Sequence, residues 1–90
     1  MAKLVKVNGD IITVTPRKGK VFSSDELHEF VGGYIEVISQ PNGEFLICDE
    51  EGKLKNKPIN RKASIIWAEH YGPTDVIVGD VVICGKDEIN

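Results

Sequence analysis

Lys53, Lys55, Lys57, Arg61 and Lys62 follow one another with no acid between them, and Asp49, Glu50 and Glu51 stand immediately before. A basic run of this kind is material for holding an anion. Its end coincides with the first turn of a helix expected from Arg61 to about Tyr71, with Asn60 as its cap. Backbone N–H groups without intrahelical acceptors point outward there, and the helix dipole is positive. Cations in that turn are unfavourable by roughly 0.3–1 kcal/mol each, so Arg61 and Lys62 make sense if a phosphate or carboxylate has to be held. The competing expectation is a solubilising loop in which Arg61 and Lys62 pair back to Glu50 or Glu51.

The acids offer a second chemistry. Adjacent carboxylates could bind a divalent cation or share a proton, because crowding raises one pKa. With no histidine or further Asp close in sequence, Asp49 to Glu51 reads instead as a solvated stretch of loop. Cys48, Cys84, His28 and His70 are the only Cys and His residues, and none stands at a pairing interval, so no metal or cofactor site is expected. Cys48, flanked by Leu46 and Ile47, and Cys84, closing Val81-Val82-Ile83, read as reduced, buried thiols. Tyr34 opens a strand after Gly32-Gly33, where a ring could stack on a base or fold into the core.

These groups must be positioned by a small set of elements. Lys3 to Val7 and Ile11 to Thr15 read as strands joined through Asn8-Gly9, a hairpin signal, and Pro16 ends the second. Ser23, with Glu26 three residues later and Phe22 and Leu27 as a hydrophobic staple, starts a helix that Gly32-Gly33 stops. Tyr34 to Ser39 and Glu44 to Cys48 form a second hairpin around Pro41-Asn42-Gly43, followed by polar loop from Asp49 to Lys57. Ala63, Ile66, Trp67, His70 and Tyr71 give the second helix an apolar stripe before Gly72-Pro73. Asp75 to Cys84, broken at Gly79-Asp80, is one bent strand or two short ones. The order is ββαββαβ: an α+β fold with a mostly antiparallel sheet and two short helices, in a single domain over residues 1–90.

The totals narrow the classes. Ninety residues, 41% hydrophobic and 28% charged, describe an ordinary globular domain and exclude disordered or fibrous chains. Apolar runs are too short to span a bilayer, and the N-terminus carries no signal-peptide pattern. A net charge of −3 argues against general nucleic-acid binding.

Four short words then resemble one family: Val31-Gly32-Gly33-Tyr34-Ile35-Glu36, Glu50-Glu51-Gly52-Lys53-Leu54, Pro58-x-Asn60-Arg61-x-Ala63 and Asp75-x-Ile77-x-Gly79-Asp80. In this order they are similar to the domain-of-unknown-function family 3846, found largely in bacteriophages and mobile elements, over residues 30–84. The resemblance implies no reaction. It implies a setting, a phage protein acting in the host bacterial cytoplasm. Lys55 and Lys57 lie between the motif words, and the resemblance assigns them nothing.

Two functions are expected from different classes. The first is a sponge-like homo-oligomer sequestering a nucleotide immune signal without catalysis, by analogy of size and charge with known phage sponges. Asn60, Arg61 and Lys62 would hold phosphate, Lys53 would add charge, Tyr34 would stack a base, and Glu50 or Glu51 would accept from ribose or base N–H groups. The second is a host-takeover or anti-defence module that blocks a bacterial enzyme through an exposed sheet edge or the charged loop. A small hydrolase using Glu50 and His70 stands third.

Overall fold

The computed structural model describes residues 2–72 and 74–89. Five strands form one sheet: β1 (Ala2–Val5), β2 (Ile11–Val14), β3 (Ile35–Ser39), β4 (Glu44–Asp49) and β5 (Val81–Gly85), with α1 (Ser24–Val31) after β2 and α2 (Arg61–Tyr71) after β4. The spatial order is β2-β1-β5-β4-β3, and every neighbouring pair is antiparallel. The α+β class and the order ββαββαβ expected from the sequence are both observed. Strand ends differ by a residue or two: β1 and β2 are shorter than expected, and β4 runs on through Asp49. Of the stretch from Asp75 to Cys84, only Val81 onward joins the sheet. Val78 makes an isolated antiparallel bridge to Ile59.

The central strands β4 and β5 are apolar on both sides, so the sheet is covered on both faces. Alternate residues diverge. Ile47, Val82 and Cys84 pack with Phe22, Leu27 and Val31 under α1. Leu46, Cys48, Val81 and Ile83 pack with Ala63 under α2, with Ile66 and Trp67 alongside. The two helices therefore lie on opposite faces, and β2 and β3 are left as the edges.

Local chemistry sets the helix ends. The Ser23 hydroxyl accepts from the Glu26 N–H at 3.2 Å while the Glu26 carboxylate accepts from the Ser23 N–H at 2.8 Å, the expected capping box. The Glu26 carboxylate also accepts from the Arg17 N–H, and these two backbone hydrogen bonds hold its pKa below the usual carboxylate value. Gly32 ends α1 at φ 79°, a left-handed conformation that suits glycine. Asn60 caps α2 as expected, its side-chain oxygen accepting from the Ala63 N–H at 3.1 Å. Of the stripe along α2, Ala63 is buried and Ile66, Trp67 and His70 are half-buried. Tyr71 is exposed instead, with its hydroxyl donating to the Ser39 carbonyl. Pro73 lies outside the described residues. No described helix is long and apolar enough to cross a membrane.

Candidate functional site: an open sheet edge beside an acidic cleft

The residues singled out in the sequence do not converge. Asn60 is fully buried and structural: its amide donates to the carbonyls of Val5 and Gly79 at 2.9 Å each, while its oxygen caps α2. That ties the end of β1 and the approach to β5 onto the helix and leaves no side-chain group turned outward for a phosphate. The Lys62 ammonium donates to the Gly9 carbonyl in the β1–β2 turn at 2.6 Å. Arg61, next to it, is exposed with no ion pair among the described residues. Neither residue pairs back to Glu50 or Glu51. Tyr34 does not join the core; 66% exposed, it rests edge-on against His28 of α1, ring centres 5.6 Å apart.

Glu50 and Lys53 do meet, in a cleft of about 400 Å³ on the α2 side of the sheet. Trp67 and Ile77 give it apolar walls, and Glu36 and Asp75, which the sequence alone does not place at a site, add carboxylates. Lys53 is engaged by Asp75 in an exposed ion pair. That hydrogen bond, with one from the Val76 N–H, lowers the Asp75 pKa. Glu36 and Glu50 make no ion pair with a base among the described residues. The Cys48 thiol faces Glu36, with Sγ 3.9 Å from Oε1. Burial first, and the Glu36 charge second, push its pKa up to about 11, so it stays protonated and unreactive at neutral pH. His70 lines a different groove, with Glu44 and Glu69, so the Glu50–His70 pairing expected for a hydrolase does not form. No group of three metal-ligating side chains occurs among the described residues.

The acidic run is not one solvated loop. Asp49 ends β4 with its side chain only 1% exposed, and its carboxylate receives the ammonium groups of Lys57 at 2.7 Å and Lys55 at 2.9 Å. The Glu51 N–H donates to it as well, at 2.9 Å. Burial pushes the Asp49 pKa up, but the hydrogen bonds from Lys57, Lys55 and Glu51 outweigh it and hold the group at about 2. Lys57 also donates to the Val31 carbonyl at 2.6 Å, closing the end of α1. The backbone of Gly33 passes against this clasp. A Cβ there would stand 2.5 Å from the Lys55 nitrogen and 2.7 Å from the carboxylate. Glu50 and Glu51 are exposed, as expected of the rest of the run.

The family described as Domain of unknown function (DUF3846) matches residues 5–90. The chain belongs to that family. No curated protein and no solved structure matches it. Set against the family's span, the Gly32-Gly33 word covers the end of α1 and the close approach to Asp49, and the Asn60 word covers the cap and tie of α2. Those two words describe the frame of the domain; Glu36, Glu50, Lys53 and Asp75, from the same four words, stand around the cleft.

Proposed function

We propose that the protein acts by binding another protein through the edge of β3 and the cleft beside it, without catalysis. The observation that carries this reading is an unpaired edge strand lying next to the acidic, tryptophan-walled cleft. An exposed edge is a template for a strand from a partner, and main-chain pairing supplies affinity while neighbouring hollows supply specificity. Carboxylates without basic partners suit a protein surface and repel a phosphate. The protonated Cys48 thiol and the separation of Glu50 from His70 support a binding role over a chemical one. In the phage setting that the sequence resemblance implies, this is a host-takeover or anti-defence module at work in the bacterial cytoplasm. The test is capture from bacterial lysate by the wild-type protein and by Val37→Pro, which removes an outward N–H from the edge. A stoichiometric protein held by the wild type and lost by the variant is expected; equal capture by both would overturn the reading.

A second reading, sequestration of a phosphate-bearing nucleotide at a homo-oligomer interface, has one observation in its favour. Arg61 is exposed and makes no ion pair among the described residues at the start of α2, beside Lys62. It predicts a raised ratio of absorbance at 260 to 280 nm in natively purified protein, with a native mass that is a multiple of 9.9 kDa. Arg61→Glu would then lower the ratio to that of protein alone without changing the melting temperature. A ratio unaffected by that substitution would remove the reading.

A further inference from the structure

We propose that the strand received by β3 is an extended segment in which basic and apolar residues alternate, the basic side chains entering the cleft. The inference rests on the reading of β3 as the docking edge and adds the chemistry of the occupant.

The ladder itself defines what is open. At one end the Tyr34 carbonyl accepts from the Glu50 N–H, and at the other the Gln40 N–H donates to the Glu44 carbonyl. Even-numbered residues of β3 thus face β4, and antiparallel alternation turns the N–H and C=O groups of Ile35 and Val37 outward. The Ser39 carbonyl also points outward but already accepts from the Tyr71 hydroxyl, which limits pairing to the Ile35–Val37 end.

An added strand sets its side chains alternately on the two faces of the sheet. On the α1 side they would meet Ile35, Val37, Phe22, Leu27 and Ile89, with Ser24 among them, around a small hollow of about 80 Å³. Val37 is 43% exposed there, an uncovered apolar surface at the edge. On the α2 side they would meet Glu36 and then the larger cleft, with Glu50 beyond it and the Trp67 ring as a wall. Lys53 is already held by Asp75, and Asp49 receives both Lys55 and Lys57, one cation more than its charge requires. The carboxylates of the cleft that make no ion pair among the described residues are therefore Glu36 and Glu50. A Lys or Arg side chain answers both features, laying its stem along the indole and its cation against the carboxylates.

A second copy of the chain fits this edge poorly. Pairing two β3 strands so that Ile35 of each meets Val37 of the other would use the outward groups of both residues. It would also set the two Glu36 residues directly opposite, which is destabilising. Charge complementarity points to a basic partner.

The test uses fluorescently labelled synthetic peptides of alternating Arg and Val, Thr and Val, or Glu and Val, with binding read by anisotropy. The Arg/Val peptide is expected to bind the wild-type protein about tenfold or more tighter than the Thr/Val peptide. Glu/Val should not bind. Glu36→Lys should abolish the preference for Arg/Val, and Val37→Pro should abolish binding altogether. An Arg/Val peptide N-methylated at alternate residues cannot pair with β3, and it serves the same purpose if Val37→Pro does not fold. If Thr/Val binds as tightly as Arg/Val, or Glu36→Lys leaves the preference intact, while N-methylation still abolishes binding, the basic occupant is wrong and the docking edge stands. If N-methylation and Val37→Pro leave Arg/Val binding unchanged, or no peptide binds, the docking edge is wrong and the inference falls with it.

Discussion

Cys48 and Asp49 are neighbours on β4, yet the pleat sends one to the α2 side and the other to the α1 side, among opposite kinds of surroundings. On the α1 side the Asp49 carboxylate is enclosed, with two ammonium groups and a backbone N–H directed at it. On the α2 side Glu36 and Glu50 stand around an open cleft with no base assigned to them among the described residues. The same functional group, a carboxylate, thus does two jobs at the neighbouring positions 49 and 50. A carboxylate that is buried must be satisfied from within the chain, and this one organises the end of α1, the 50–56 turn and Gly33 around itself. A carboxylate at the rim of a cleft remains available to something outside. The difference separates the residues that hold the domain together from those that can meet a partner.

The largest test of that separation is Asp49→Asn against Glu50→Gln. Removing the buried charge leaves two lysines directed at an amide, and should destabilise by about 3 kcal/mol, the low end for a broken buried pair because both lysines can swing towards water. In a domain of this size that is a fall of roughly 12–24 °C in melting temperature by circular dichroism. Glu50→Gln should change stability by less than about 0.5 kcal/mol. Equal effects would show that the two carboxylates are not doing different work.

Acid should report the same asymmetry on a smaller scale. The folded pKa of Asp49, about 2, lies below its ordinary value of 3.8. The stability this group adds is therefore present above about pH 4 and is lost as the pH falls towards 2, by about 2 kcal/mol in all. Urea midpoints recorded from pH 5 to pH 2 should fall over that window in the wild type. In Asp49→Asn the fall should be shallower. Parallel curves would mean that the clasp contributes no pH dependence.

Much of the frame was legible because it is local. Ser23 and Glu26 specify one helix start within four residues, and Gly32 specifies its end. The placement of the helices on opposite faces was not read from the chain, although Leu46-Ile47-Cys48 and Val81-Val82-Ile83-Cys84 leave no polar face, the mark of strands covered on both sides. The clasp was not legible, because it depends on Lys57 reaching Val31, 26 positions away in sequence. Asn60 was legible as a cap but not as the tie to Val5 and Gly79, which withdraws it from any ligand. Of the residues around the cleft, Glu36 carried a signal, a lone charge in the apolar strand Ile35–Ser39. Asp75 carried only its place in a family word and Trp67 its place in the stripe of α2, and neither pointed to the cleft, since only the tertiary fold brings them to the β4 end.

The smallest test divides the clasp between its two lysines. Lys57 is the less exposed, at 21% against 41% for Lys55, and it makes the shorter contact with Asp49. It also closes the Val31 carbonyl, whereas Lys55 stands at 3.5 Å from that of Gly32. Lys57→Met should therefore destabilise by about 1–2 kcal/mol, and Lys55→Met by less than about 1 kcal/mol, as expected of a partly exposed pair. The two substitutions together should exceed the sum of the singles, because either lysine alone still neutralises the carboxylate. Chemical denaturation of the three variants measures this. A strictly additive result would mean that the lysines act on the helix end and the turn separately, and that the buried charge does not couple them.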